Sequence, residues 1–317
     1  MLEFDFFLDV GEIQRQLISD SGERKLTEHE YPRRPTTRWL FALLVAAAFG
    51  AHEAVAEETQ LRVAFGSEVR SFDAATLLER ADARSITVQN DVAYHREMTF
   101  RAVPLLALLD GLPLDRADTL EARATDGFVT HLPMALILRA KNGGSVPWVA
   151  IDESGSPWPP LPGKSDSAGP FYVVWIDPER SNVSQEQWPY ALVALTEVEA
   201  PVRRWPQIAV DPGLASEAPA RRGQEVYIVQ CLPCHRMRGG GEGDMGPDLA
   251  LPRSPTEYMT TAGLIAQIRD PKSLRDWPDQ KMPGFSESAL ATADLDALIA
   301  YLRHMAHQRD TQAVTAH

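Results

Sequence analysis

The stretch that decides the reading is Cys231-Leu232-Pro233-Cys234-His235, which contains both cysteines of a 317-residue chain. Two thiols separated by two residues can each add across one vinyl group of a haem, and the imidazole that follows can reach the iron. Other uses of the same residues fare worse. A zinc site needs two further soft ligands, and there is no third cysteine. A thioredoxin-like redox pair needs a preceding strand in a βαβ frame, whereas residues 223–230 read as a helix leading into the motif. The expectation is one covalently bound haem c with its iron. Cys231 and Cys234 would form the thioethers and His235 would be an axial ligand.

The surroundings of the motif are helical. Residues 262–269 put Leu264, Ile265 and Ile268 on one face and must end before Pro271. Thr292 is placed to cap a last helix with Leu295, Leu298, Ile299 and Leu302 at i, i+3, i+4, i+7. Gly223 and Tyr227 precede the motif; Gly246-Pro247-Asp248-Leu249 and Lys281-Met282-Pro283-Gly284-Phe285 follow it, and Leu298-Ile299-Ala300-Tyr301-Leu302 closes the set. On these residues, 218–308 resembles the class I c-type cytochromes.

That resemblance implies an all-α haem domain whose first and last helices cross, with Gly223 admitting Tyr301. It implies that Pro247 offers its carbonyl to the second imidazole nitrogen of His235, orienting the ring. It also implies Met282 as the other axial ligand to the haem iron. Met245, Met237, Met259 and Met305 compete for that role. Met237 is too near His235 to reach the opposite haem face, Met245 belongs to the loop on the His235 side, and Met259 and Met305 sit in helical patterns that suit core packing. His304 and His307 are outside candidates. His/Met ligation closes both faces of the iron, raises the potential and suits electron transfer.

The length favours two domains. Apolar content of 44% and charged content of 24% are ordinary for globular protein. Arg33, Arg34 and Arg38 precede an apolar run at 39–50, and Ala54-Val55-Ala56 follows, the order of a signal peptide cleaved after Ala56. The run is short for a bilayer span, so a membrane is a partner only if this leader stays uncleaved. Residues 1–32 are acidic and precede that leader; they read as an over-extended start with initiation at a non-Met codon. Without residues 1–56 the chain keeps 25 Lys and Arg against 35 Asp and Glu, a net charge of −10. Such a chain repels nucleic acid. A periplasmic location with redox proteins as partners is expected, and haem attachment consumes both thiols.

Between residues 57 and 200 the pattern reads as a β-rich α+β domain. Strands are expected at 119–124 and 128–132 around an Asp126-Gly127 turn, and at 146–151, 171–176 and 191–198. A helix is expected at 103–109, a long loop at 152–170, and a linker at 201–220 with Pro206, Pro212, Gly213 and Pro219 as breakers. The haem domain then runs over 221–310, with 311–317 as tail.

Three segments, Ala124-Thr125-Asp126-Gly127-Phe128, Gly169-Pro170-Phe171-Tyr172-Val173-Val174-Trp175 and Trp188-Pro189-Tyr190, are similar to the sulfite-oxidase-type molybdopterin-binding domain. Phe100-Arg101-Ala102-Val103-Pro104-Leu105 fits before them. Enzymes of that family ligate molybdenum through a cysteine thiolate; residues 61–200 contain none, which speaks against molybdopterin chemistry and names no catalytic residue here. His95, His131, Trp148, Trp175 and Trp188 read as core or loop anchors. Gly239-Gly240-Gly241-Glu242-Gly243 follows the haem motif and not a strand, so it is a loop and no dinucleotide fingerprint. The leading expectation is an exported monohaem electron carrier whose first domain docks or scaffolds. An oxidoreductase passing electrons from its first domain to the haem is the alternative, and a haem-based sensor of a small ligand is the third reading.

Overall fold

The computed structural model describes residues 59–278 and 280–315. The expected leader, its cleavage after Ala56 and the extension over 1–32 lie outside the described residues. Two hydrophobic cores divide the described chain, one in a β-rich domain and one in a helical domain.

The β-rich domain is built on nine strands: β1 Leu61–Phe65, β2 Glu68–Phe72, β3 Arg84–Val88, β4 Met98–Pro104, β5 Thr119–Ala124, β6 Val129–Pro133, β7 Val146–Ile151, β8 Phe171–Ile176 and β9 Leu192–Val198. Three short helices interrupt them, α1 Ala74–Leu78, α2 Leu105–Leu108 and α3 Met134–Leu138. One sheet has the order β2-β1-β9-β5-β6 and the other β3-β4-β7-β8. All pairs are antiparallel except β1 with β9, where Val63 faces Leu195. The β5–β6 hairpin turns at Gly127, whose φ of 88° suits a residue without a Cβ, and it sets Glu121 opposite His131.

Burial explains which strands were easy to see. In β8 all of Phe171, Tyr172, Val173, Val174 and Trp175 are buried, although β8 is an edge strand. Its open edge is covered: Val173 N–H donates to the Pro189 carbonyl at 3.0 Å, and Trp175 Nε1 donates to the Gln187 carbonyl at 2.9 Å. On β5, Leu120 and Ala122 face the sheet core while Thr119 and Glu121 are buried on the opposite face. The helix expected at 103–109 is shorter, because Val103 and Pro104 finish β4 and Pro104 stands at the cap of α2.

The helical domain holds α5 Pro219–Gln230, α6 Pro255–Tyr258, α7 Thr261–Arg269, α8 Pro271–Leu274 and α9 Thr292–Thr315. Helices α5 and α9 cross at Gly223. A Cβ there would collide with the Ala297 carbonyl and lie 2.6 Å from Tyr301 Cβ, so only glycine lets the backbones meet. Tyr227 and Tyr301 are both fully buried beside the crossing, ring centroids 5.3 Å apart. Thr292 is itself the first residue of α9; its N–H and hydroxyl are both bound by the Glu287 carboxylate. The helix also runs on past residue 310, where a tail was expected.

Residues 201–220, expected as an exposed linker, are built into the helical domain in their first half. Pro201–Arg204 forms α4 and Pro206–Ile208 a 3₁₀ turn, each with proline opening the helix. Ile208 and Val210 are buried in the helical core. Tyr301 OH donates to the Ile208 carbonyl at 2.6 Å, Val210 N–H donates to Gln224 Oε1 at 2.6 Å, and Asp211 N–H donates to His304 Nε2 at 3.1 Å. Among the described residues no helix is long and apolar enough to cross a membrane.

Candidate haem site

Cys231 caps the C-terminus of α5, so the pentapeptide leaves the helix as a tight turn, with the Cys231 carbonyl accepting from Cys234 N–H at 3.0 Å and His235 N–H at 2.8 Å. The two thiols are unpaired and partly exposed. Burial, reinforced by the charge of Glu186, pushes each up to about 12, so both are protonated thiols at neutral pH.

His235 is held from three sides. Tyr227 OH donates to its carbonyl at 2.8 Å. Its Nδ1 lies 2.8 Å from the Pro247 carbonyl, which can only accept, so Nδ1 carries the proton and Nε2 keeps its lone pair. Burial lowers the pKa of the ring, with Pro247 and Asp248 opposing, which favours the neutral ligand form. Gly246 supports the ring face: a Cβ there would come within 2.6 Å of Nδ1. Among the described residues no protein group engages Nε2.

The loop after the motif is organised by Asp248. Its carboxylate accepts from Arg238 N–H (3.0 Å), Gly239 N–H (2.6 Å), Ala250 N–H (2.8 Å) and Leu251 N–H (3.0 Å). Met282 is half-buried against the helical core, with Gln267 Nε2 3.7 Å from its sulfur. Of the competing residues, Met237 and Met305 are fully buried, Met259 packs on the core, and Met245 is exposed. His304 Nε2 is taken by Asp211 N–H and by Gln308, and His307 Nδ1 meets the Arg303 carbonyl at 2.7 Å.

These groups fit a covalently attached haem. Two protonated thiols flank a turn, a neutral imidazole is oriented by its second nitrogen, and a thioether sits on a separate loop. Such donors supply iron with a one-electron couple. The crossing of α5 and α9 with the pentapeptide at its end agrees with a c-type cytochrome domain. Residues 218–302 match the family described as cytochrome c oxidase, cbb3-type, subunit III, which supports that domain and implies haem c with its iron and a haem-based electron-carrier role. No curated protein matches the chain.

Several residues near the motif were invisible to sequence reasoning. The 3₁₀ turn Gln185–Gln187 of the β-rich domain packs against α5, and burial pushes its Glu186 up to about 7. Glu242, in the glycine-rich run after the motif, meets Arg123 of β5 and Arg204 of α4. Nothing in the local pattern signals these partners, because they lie 119 and 38 residues away.

Proposed function

We propose that the protein is an exported monohaem c-type cytochrome that carries single electrons between periplasmic redox partners. One haem c is attached at Cys231 and Cys234, its iron is ligated by His235 and Met282, and Pro247 orients His235. The observation that carries this reading is the pairing of His235 Nδ1 with the Pro247 carbonyl, which leaves Nε2 as a free donor beside two thiols. The partly buried Met282, on a loop of its own, supports it as the second ligand. The β-rich domain, similar in sequence to molybdopterin-binding domains but without their cysteine, serves as a docking or scaffold module. The leader pattern supports export.

The experiment combines two variants of the protein produced in an export-competent host. Cys231→Ala with Cys234→Ala is expected to abolish haem staining after denaturing electrophoresis. Met282→Ala is expected to keep the covalent haem, lose the weak near-infrared sulfur-to-iron band and lower the potential. Haem that stays covalent without both cysteines refutes the attachment site; a band that survives in Met282→Ala but vanishes in Met245→Ala assigns the wrong methionine.

A second reading is favoured by the packing of the Gln185–Gln187 turn on α5: an oxidoreductase whose β-rich domain passes electrons directly to the haem. Stoichiometric molybdenum in the purified protein would select it.

A further inference from the structure

Four charged side chains close a ring between the two domains. Arg204 Nη1 donates to Glu121 Oε2 at 2.6 Å and Arg204 Nη2 to Glu242 Oε1 at 2.6 Å. Arg123 Nη2 donates to Glu121 Oε1 at 2.9 Å and to Glu242 Oε2 at 3.0 Å. Each carboxylate oxygen thus receives one guanidinium, and the charges of the ring sum to zero. Glu121 and Arg123 come from the β-rich domain, Arg204 from the segment joining the domains, and Glu242 from the loop after the haem motif.

Glu242 has little freedom to sit elsewhere. A Cβ on Gly243 would fall 2.6 Å from the Cys234 carbonyl carbon and 2.7 Å from His235 N. A Cβ on Gly241 would fall 2.7 Å from Leu232 Cδ1, and one on Gly240 would meet Gln207 and Ile208. The Gly243 carbonyl also accepts from Arg236 Nε at 3.1 Å. The loop therefore lies directly on the backbone of the pentapeptide. Glu121 is almost fully buried, Arg204 and Glu242 are about one-quarter exposed and Arg123 is 42% exposed, so water screens the Glu121–Arg204–Glu242 side of the ring less than the Arg123 side.

We propose that this ring is a potential-setting clamp: it fixes the β-rich domain to the His235 side of the haem and holds a balanced set of charges there, with Glu242 as the positioning residue. The proposal rests on the haem reading above. Adding an electron to the haem lowers its charge, so removing a neighbouring carboxylate favours the reduced form and removing a neighbouring guanidinium disfavours it. Simple loosening of the interface acts differently, because water entering near a haem lowers the potential whichever residue is lost.

The test is redox titration of the full-length holoprotein. Glu242→Gln is expected to raise the potential and Arg204→Gln to lower it, while the double variant returns to the wild-type value because the ring is neutral again. Arg123→Gln, at the more exposed side of the ring, should lower the potential as well and replaces Arg204→Gln if that variant does not fold. Glu242→Asp should stay nearer the wild type than Glu242→Gln. Unchanged potentials in both single variants, or a fall in both that adds up in the double, would overturn the clamp. Neither result touches the haem assignment, which fails separately if the purified wild type carries no covalent haem.

Discussion

His131 gives the chain an acid-sensitive point whose size can be worked out. The ring lies on β6 with 3% of its surface exposed, 3.4 Å from Arg204 Nη1 through Nε2 and edge-on to Trp205 at 5.7 Å. A guanidinium only donates, so Nε2 accepts and the proton sits on Nδ1, which finds no partner among the described residues. Burial drives the pKa from the usual 6.5 down to about 4; Glu121 opposes this, and Arg204 and Arg123 add to it. A group with a depressed pKa in the folded state takes up its proton more readily when unfolded. Its contribution is therefore complete above pH 6.5 and is lost as the pH falls toward 4. At about 1.4 kcal/mol per unit, the whole shift is worth about 3–4 kcal/mol, of which about 2 kcal/mol disappears between pH 7 and pH 5. Urea unfolding of the holoprotein, followed by far-ultraviolet circular dichroism at those two pH values, measures this loss. The variant His131→Gln removes the titration, so its stability should fall by about 2 kcal/mol less than that of the wild type over the same interval. Equal losses in both proteins would refute the account of a neutral, buried His131. Glu121 acts in a lower window. Burial pushes its carboxyl up but Arg204 and Arg123 outweigh that, so its contribution disappears only as the pH falls through a pKa below the usual carboxylate range.

Two further outcomes follow from the helical domain. Gly223→Ala must force α5 from α9, because its methyl collides with the Ala297 carbonyl; a cost of at least 1–3 kcal/mol is expected for such overpacking, roughly, and an unchanged urea midpoint would contradict the crossing. A chain beginning at Leu214 discards buried Ile208 and Val210 and the hydrogen bonds they make to Tyr301 and Gln224, whereas one beginning at Ala200 keeps them. With roughly 1.5–3 kcal/mol per buried aliphatic side chain and about 1 kcal/mol per hydrogen bond, the shorter chain should be less stable by several kcal/mol, and equal thermal midpoints of the two haem-loaded chains would refute this.

The contrast between what could be read and what could not has a physical basis. Strands β7 and β8 match their expected bounds of 146–151 and 171–176 because their Val, Ile, Tyr and Trp content suits buried, pleated backbone. Strands β2 and β3 carry Glu68, Arg70, Arg84 and Ser85 on sheet edges with exposed faces, so no apolar alternation marks them. The helix expected at 103–109 went astray because a buried strand runs straight into a buried helix, and one apolar run carries both. In the segment 201–220, Pro206 and Pro219 read as breakers by composition yet open helical turns in the structure, the one place in a helix where a missing N–H costs nothing. At the haem site the pentapeptide and the Gly223–Tyr301 approach are local or family-patterned features. The ring through Glu242 joins residues from positions 121 to 242 and leaves no trace in spacing.

The contact between the two cores uses groups that each domain already needs. An edge strand as apolar as β8 must be covered, and the segment that covers it, through the Gln187 and Pro189 carbonyls, includes the turn that packs on α5. On the helical side, the glycines that bring residues 239–243 against the pentapeptide leave Glu242 as the side chain of that run able to reach outward, where Arg204 and Arg123 meet it. Arg204 in turn reaches Glu121 from α4, a helix that exists because residues 201–210 are anchored by Tyr301 and Gln224 of the helical domain. The backbone features that position these side chains belong to the two domain folds, while the contact itself is made by Arg204, Arg123, Glu121 and Glu242. That shared use of groups is why the described residues form one compact unit although they contain two separate hydrophobic cores.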